Sequence, residues 1–93
     1  MNELSTKGFQ HAIHETHGSR SQLLTRERVH ERFEGETVWA GEVLVFGLLD
    51  HPSSSKCYAW EVDGRVTAVL HEPPVDSPLA AVRAAIAAEH RGE

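Results

Sequence analysis

Residues 57–70 read CYAWEVDGRVTAVL, two runs rich in β-branched and aromatic residues around Asp63-Gly64. Asp-Gly in that setting is a strong signal for a type I′ hairpin, because both central residues need positive φ. So short a turn also sets the register. Val62 opposes Arg65, Trp60 opposes Thr67, and Tyr58 opposes Val69. One face of the hairpin therefore carries Tyr58, Trp60, Val62, Arg65, Thr67 and Val69. The other carries Cys57, Ala59, Glu61, Val66, Ala68 and Leu70.

Upstream, the polar stretch DHPSSSK at 50–56 reads as a loop, and 36–49 reads as a long strand. Val38, Ala40, Leu44, Phe46 and Leu48 point one way; Trp39, Gly41, Val43 and Val45 point the other. Both sides are apolar from Val43 to Phe46, which predicts a central strand. Gly41 suggests a bulge or bend. Glu34-Gly35 is a turn signal leading back to 27–33, where Val29, Glu31 and Phe33 share one side. Residues 19–25, SRSQLLT, read as a loop, with the alternative that they lead into a strand. If 27–33 is irregular the sheet has three strands, otherwise four.

A helix is expected at each end. In 3–17, Phe9, Ala12, Ile13 and Thr16 fall at helical spacing, with Asn2, Ser5 or Thr6 to cap the start and Gly18 to end it. Gly8 weakens this helix by about 1 kcal/mol relative to Ala, so packing must hold it. Residues 72–76, EPPVD, are expected to be extended, since proline disfavours helix in the residue before it. The second helix runs over 78–91, with Ser77 as N-cap and Pro78 at the first position. Leu79, Val82 and Ile86 form its apolar stripe among six alanines, and His90 and Arg91 suit its negative end. The order is α-β-β-β-β-α. It predicts a single α+β domain over 1–93, a four-stranded antiparallel meander with both helices packed on one face.

Composition narrows the classes of function. The 93 residues fit one small domain, and 40% apolar with 25% charged residues is ordinary for a globular chain. The net charge of −5, with only two lysines, disfavours a general polyanion binder. Cys57 is the single cysteine, so no internal disulfide holds the fold. No signal-peptide pattern opens the chain, and its apolar runs fall far short of the roughly 20 residues that span a bilayer. The expectation is a soluble cytoplasmic protein without a membrane partner.

Several motifs invite a chemical reading. HAIHETH at 11–17 places His11, His14 and His17 at three-residue steps with Glu15 among them. His11 and His14 are helical neighbours, as are His14 and His17, yet all three cannot share one narrow face. Zinc needs three or four protein ligands. These histidines are weak metal candidates, and a solvated helix face is the simpler reading. Asp50, His51 and Ser53 to Ser55 have the residue types of a hydrolytic triad, but one short loop cannot align them, and no nucleophile elbow is present. Cys57 reads as core. SRSQLLTRERVHER at 19–32 carries Arg20, Arg26, Arg28 and Arg32 against Glu27 and Glu31; it could touch a nucleic-acid backbone, and reads more simply as a salt-bridged sheet edge that discourages edge pairing. No GxGxxG or Walker pattern occurs. No cofactor is expected, and the balance is against an enzyme.

The helix–sheet–helix order resembles the double-stranded-RNA-binding domain, which runs α-β-β-β-α. That resemblance implies RNA as an alternative ligand. The family's basic loop before its second helix corresponds here to EPPVDSP at 72–78, which is acidic.

The leading expectation is a small non-enzymatic protein-interaction module, homo-oligomeric through an open sheet face. The small residues Cys57, Ala59 and Ala68, with Leu70, suit contact with an alanine-rich helix. This leaves Trp39, Tyr58, Trp60, Arg65 and Thr67 as the exposed interaction face, since aromatic and arginine side chains are enriched at binding hot spots. The competing expectation is that the aromatics form the core and the helices cover them. The alternatives are a nucleic-acid binder of the double-stranded-RNA type and a small histidine-based metal protein or enzyme.

Overall fold

A computed structural model describes residues 5–92, and the side chains among them except Phe33 and residues 89–92. Expectations at Asn2 and for the side chains of Phe33, His90 and Arg91 lie outside the described residues. The order is α1 (Thr6–His17), β1 (Ser21–Phe33), β2 (Glu36–Leu48), β3 (Lys56–Val62), β4 (Arg65–Leu70) and α2 (Pro78–Gly92). The strands form one antiparallel sheet in the order β1-β2-β3-β4, so the meander and the two terminal helices are as expected. No helix among the described residues is long and apolar enough to cross a membrane.

Asp63 and Gly64 take φ values of 52° and 82°, and β3 pairs with β4 in the expected register. Glu34 and Gly35 repeat the device, with φ of 53° and 82° between β1 and β2. Ser5 is the N-cap of α1, accepting from the Gly8 N–H at 3.2 Å, and Gly18 ends the helix in the left-handed conformation. Ser77 caps α2 through the Ala80 N–H at 3.1 Å.

Three local expectations are corrected. Residues 21–25 are strand, not loop, and pair with the far end of β2. A bulge between Leu23 and Thr25 breaks the alternation there, which is why SQLLT does not read as a strand. Gly41 is not the bulge. It pairs regularly with Val29, and a Cβ at Gly41 would lie 2.9 Å from Cη2 of Trp39, so the missing side chain gives room to that indole. The segment after β4 turns instead of running on extended: the Val75 N–H donates to the Glu72 carbonyl at 2.8 Å, around a cis peptide between Pro73 and Pro74.

The helices do not share a face. Leu44, Phe46, Cys57 and Ala59 lie on one side of the sheet and pack with Phe9 and Ile13 of α1. Val43, Val45, Tyr58 and Trp60 lie on the other and pack with Ala81 and Val82 of α2. The reason is visible in β2, which is apolar on both sides from Val43 to Phe46. Each side must be taken out of water, and each helix has one apolar face to offer. Tyr58 and Trp60 are accordingly 3% and 4% exposed, so the aromatic face is not open.

A polar knot ties the two loops at one end of the sheet. Ser19, fully buried, holds its hydroxyl 2.8 Å from Oδ1 of Asp50, and Arg20 donates its backbone N–H at 2.8 Å and Nε at 2.9 Å to the same carboxylate. The Arg20 side-chain bond, then its N–H, then Ser19 lower the Asp50 pKa from 3.8 to about 2. A carboxylate whose pKa falls on folding adds stability above its unfolded pKa and loses it as pH falls through the folded value. Asp50→Asn is therefore expected to lower the urea midpoint near neutral pH. Its gap from the parent should shrink as pH falls from 3.8 towards about 2. A gap that is constant across that window would show that the charge is not involved.

Candidate functional site

Four of the five residues expected on an interaction face line a single pocket. Trp39, Trp60, Arg65 and Thr67 surround a space of about 350 Å³ between the sheet and the second half of α2. β2 and β3 bring the two indoles together, with ring centroids 6.0 Å apart and planes at 61°. The Trp39 ring lies over Gly41, which sets its height above the sheet. Val82 closes the pocket from α2, and Ala85 and Ile86 form the helical wall. Trp60 and Val82 are buried and make its depth; Val62, 46% exposed, and the exposed Asp63 and Arg65 make its mouth. Apolar depth with a few polar groups at the opening is the usual make-up of a ligand pocket, and the volume is at the lower end of that class.

Tyr58 is not part of it. Its hydroxyl lies 2.6 Å from Nδ1 of His71. Burial raises the Tyr58 pKa, and the carboxylates of Asp76 and Glu27 add to the effect. The phenol stays neutral and anchors the start of the β4–α2 connection.

Sequence reasoning named Trp39, Trp60, Arg65 and Thr67 as part of an open sheet face, and missed the helical wall of Ala85 and Ile86 that lies over them. The signal was present. Ile86 belongs to the apolar stripe of α2, and a stripe laid on the aromatic face meets both indoles.

The other motifs have structural places. His51 Nδ1 accepts the backbone N–H groups of Ser53 at 3.1 Å and Ser54 at 3.0 Å, so it closes its own turn. Ser53 instead bonds Glu72 at 3.2 Å, and Asp50 is engaged by Ser19 and Arg20; no Asp–His–Ser relay is formed. His11 and His14 are exposed on α1, with His11 3.9 Å from Glu15, while His17 reaches the Ala68 carbonyl at 2.9 Å and fastens α1 to β4. Among the described residues no three His, Cys, Asp or Glu side chains converge as metal ligands would.

Cys57 is fully buried against α1, and that burial pushes its thiol pKa up to about 12. At pH 8 the thiol is then almost wholly protonated, and the thiolate is the reactive form. The native protein is expected to resist a chromogenic disulfide reagent at pH 8 and to react stoichiometrically once urea unfolds it. Rapid reaction in the native state would place Cys57 outside the core. The chain matches no protein-family model, no curated protein and no solved structure.

Proposed function

We propose that this chain is a non-catalytic interaction module that takes one apolar side chain of a partner protein into the Trp39/Trp60 pocket. The observation that carries the reading is the pocket itself: two indoles in edge contact under α2, with an exposed valine at the mouth. Its volume of about 350 Å³ has room for one large side chain together with part of its flanking backbone. Asp63, Arg65 and Thr67 at the opening can bond the backbone on either side of that residue. Tryptophan and arginine are the types that dominate binding energy at protein interfaces. A second copy of the chain is the alternative occupant.

The test uses side-chain surrogates. N-acetyltryptophanamide, N-acetylleucinamide and N-acetyllysinamide are titrated into isotope-labelled protein while the two indole N–H resonances are followed. The apolar amides are expected to move both resonances saturably, and the lysine amide to leave them in place. Val62→Lys changes an exposed position, so it is expected to keep the fold and lose the response. If neither apolar amide gives a saturable shift, the pocket is not a binding site. Concentration-dependent dimerisation that Val62→Lys abolishes would assign the pocket to a second copy.

A further inference from the structure

We propose that β1 is a docking edge for an extended acidic segment of a partner protein, which adds as a fifth strand and sets alternate carboxylates beside Arg26, Arg28 and Arg32. This surface is separate from the Trp39/Trp60 pocket and lies on the opposite face of the sheet.

The backbone supplies the first part of the argument. β1 is an outer strand of an open sheet, and it is 13 residues long against six for the other outer strand, β4. Its outward N–H and C=O groups have no strand partner among the described residues. Sheet edges are usually kept short or bulged because they accept foreign strands. The bulge at Leu23/Thr25 and a second register shift at Glu31/Arg32, whose extra residue is Val38 of β2, bracket a regular run from Thr25 to Glu31.

The side chains supply the second part. β3 pairs with β2 only from Leu44 to Gly47, so the outer part of the β1–β2 hairpin projects as a two-stranded ribbon. On the α1 side of that ribbon the β1 residues are Arg26, Arg28, His30 and Arg32, all exposed and at alternate positions. Residues two apart on a strand stand about 6.7 Å from each other. The facing β2 positions include one carboxylate, Glu42, which meets Arg26 at 3.4 Å. Arg32 donates to the Gly35 carbonyl, and His30 meets the Thr37 hydroxyl at 2.7 Å. The β1 carboxylates Glu27 and Glu31 lie on the other face, where Arg83 of α2 holds Glu31 at 2.9 and 3.1 Å. Charge is thus sorted across the strand: cations on the free face, anions on the face under α2. In a chain of net charge −5, this is a local reversal of sign.

The pattern selects the occupant. Antiparallel pairing of two β1 strands would set Arg and His opposite Arg and His, and like charges directly opposite destabilise a sheet. Nucleic acid is disfavoured because three arginines, one already paired with Glu42, make a weak phosphate track in a chain of net charge −5. An acidic strand satisfies both the backbone edge and the free cations. Strand addition draws affinity from main-chain bonds and selectivity from alternate side chains.

The probe is a capped peptide of alternating Glu and Val long enough to span Arg26 to Arg32, with a Lys-for-Glu peptide as its opposite. Each is titrated at about 0.01 M salt, where charges act over about 30 Å. The Glu peptide is expected to shift β1 amides saturably, slow their hydrogen exchange, and bind about tenfold tighter than the Lys peptide. The double variant Arg28→Glu/Arg32→Glu alters only exposed side chains and is expected to reverse that preference. A purely structural role for the arginines predicts no reversal. The proposal is overturned by the absence of saturable β1 shifts at millimolar Glu peptide, or by equal binding of both peptides. It is also overturned by self-association that protects β1, or by an RNA duplex that displaces the peptide and binds with a steep salt dependence.

Discussion

Phe46→Ala is expected to lower the unfolding free energy by about 3–5 kcal/mol, the usual cost of removing a buried aromatic ring. Phe46 is the largest fully buried side chain, and its ring sits 6.2 Å from that of Phe9, centroid to centroid. It joins α1 to β2, and Cys57, its neighbour across β3, is too small to refill the space. A domain of this size has roughly 5–10 kcal/mol in total, so the substitution is expected to remove about a third of it or more. Urea denaturation at equilibrium gives the measurement. A shift in midpoint worth less than about 1 kcal/mol would remove Phe46 from the core.

Trp60→Ala is expected to cost a similar amount, about 3–5 kcal/mol, on the opposite side of the sheet. Trp60 touches Trp39 and lies beneath α2 with Ala81 and Val82. The two losses are expected to differ in where they loosen the chain. Amide exchange should quicken first in α2 for Trp60→Ala and first in α1 for Phe46→Ala, because each helix depends on its own contact layer. Equal acceleration in both helices for either variant would mean that the domain opens only as a whole.

The local grammar of this chain was readable because each signal has a short-range cause. Asp63-Gly64 and Glu34-Gly35 reverse the chain by positive φ, Ser5 and Ser77 cap by side-chain oxygen, and Gly18 stops a helix with no Cβ in the way. The face taken by α2 was not readable from size matching, which paired its alanines with Ala59 and Ala68. Ala81 instead lies against the side of Tyr58 and Trp60, where a small residue lets the helix approach large rings. The double-sided apolarity of Val43 to Phe46 was the better guide, since it demands a cover on each side. The start of β1 was hidden by the bulge after Leu23. Within the pocket, Trp39, Trp60, Arg65 and Thr67 could be chosen by residue type and register. Only the position of α2 shows that they enclose a space and that Tyr58 is committed to His71.

The sheet is a partition between two compartments. Ile13 and Val82 are both fully or nearly fully buried, yet they belong to clusters that share no side chain and are divided by the backbone of β2 and β3. A methylene removed on one side leaves a void that atoms from the other side cannot enter. Ile13→Val and Val82→Ala are therefore expected to combine additively, within about 0.5 kcal/mol. Each compartment can be refilled with new side chains without renegotiating the other, so the α2 side can change its pocket at a cost that leaves the α1 side's packing intact.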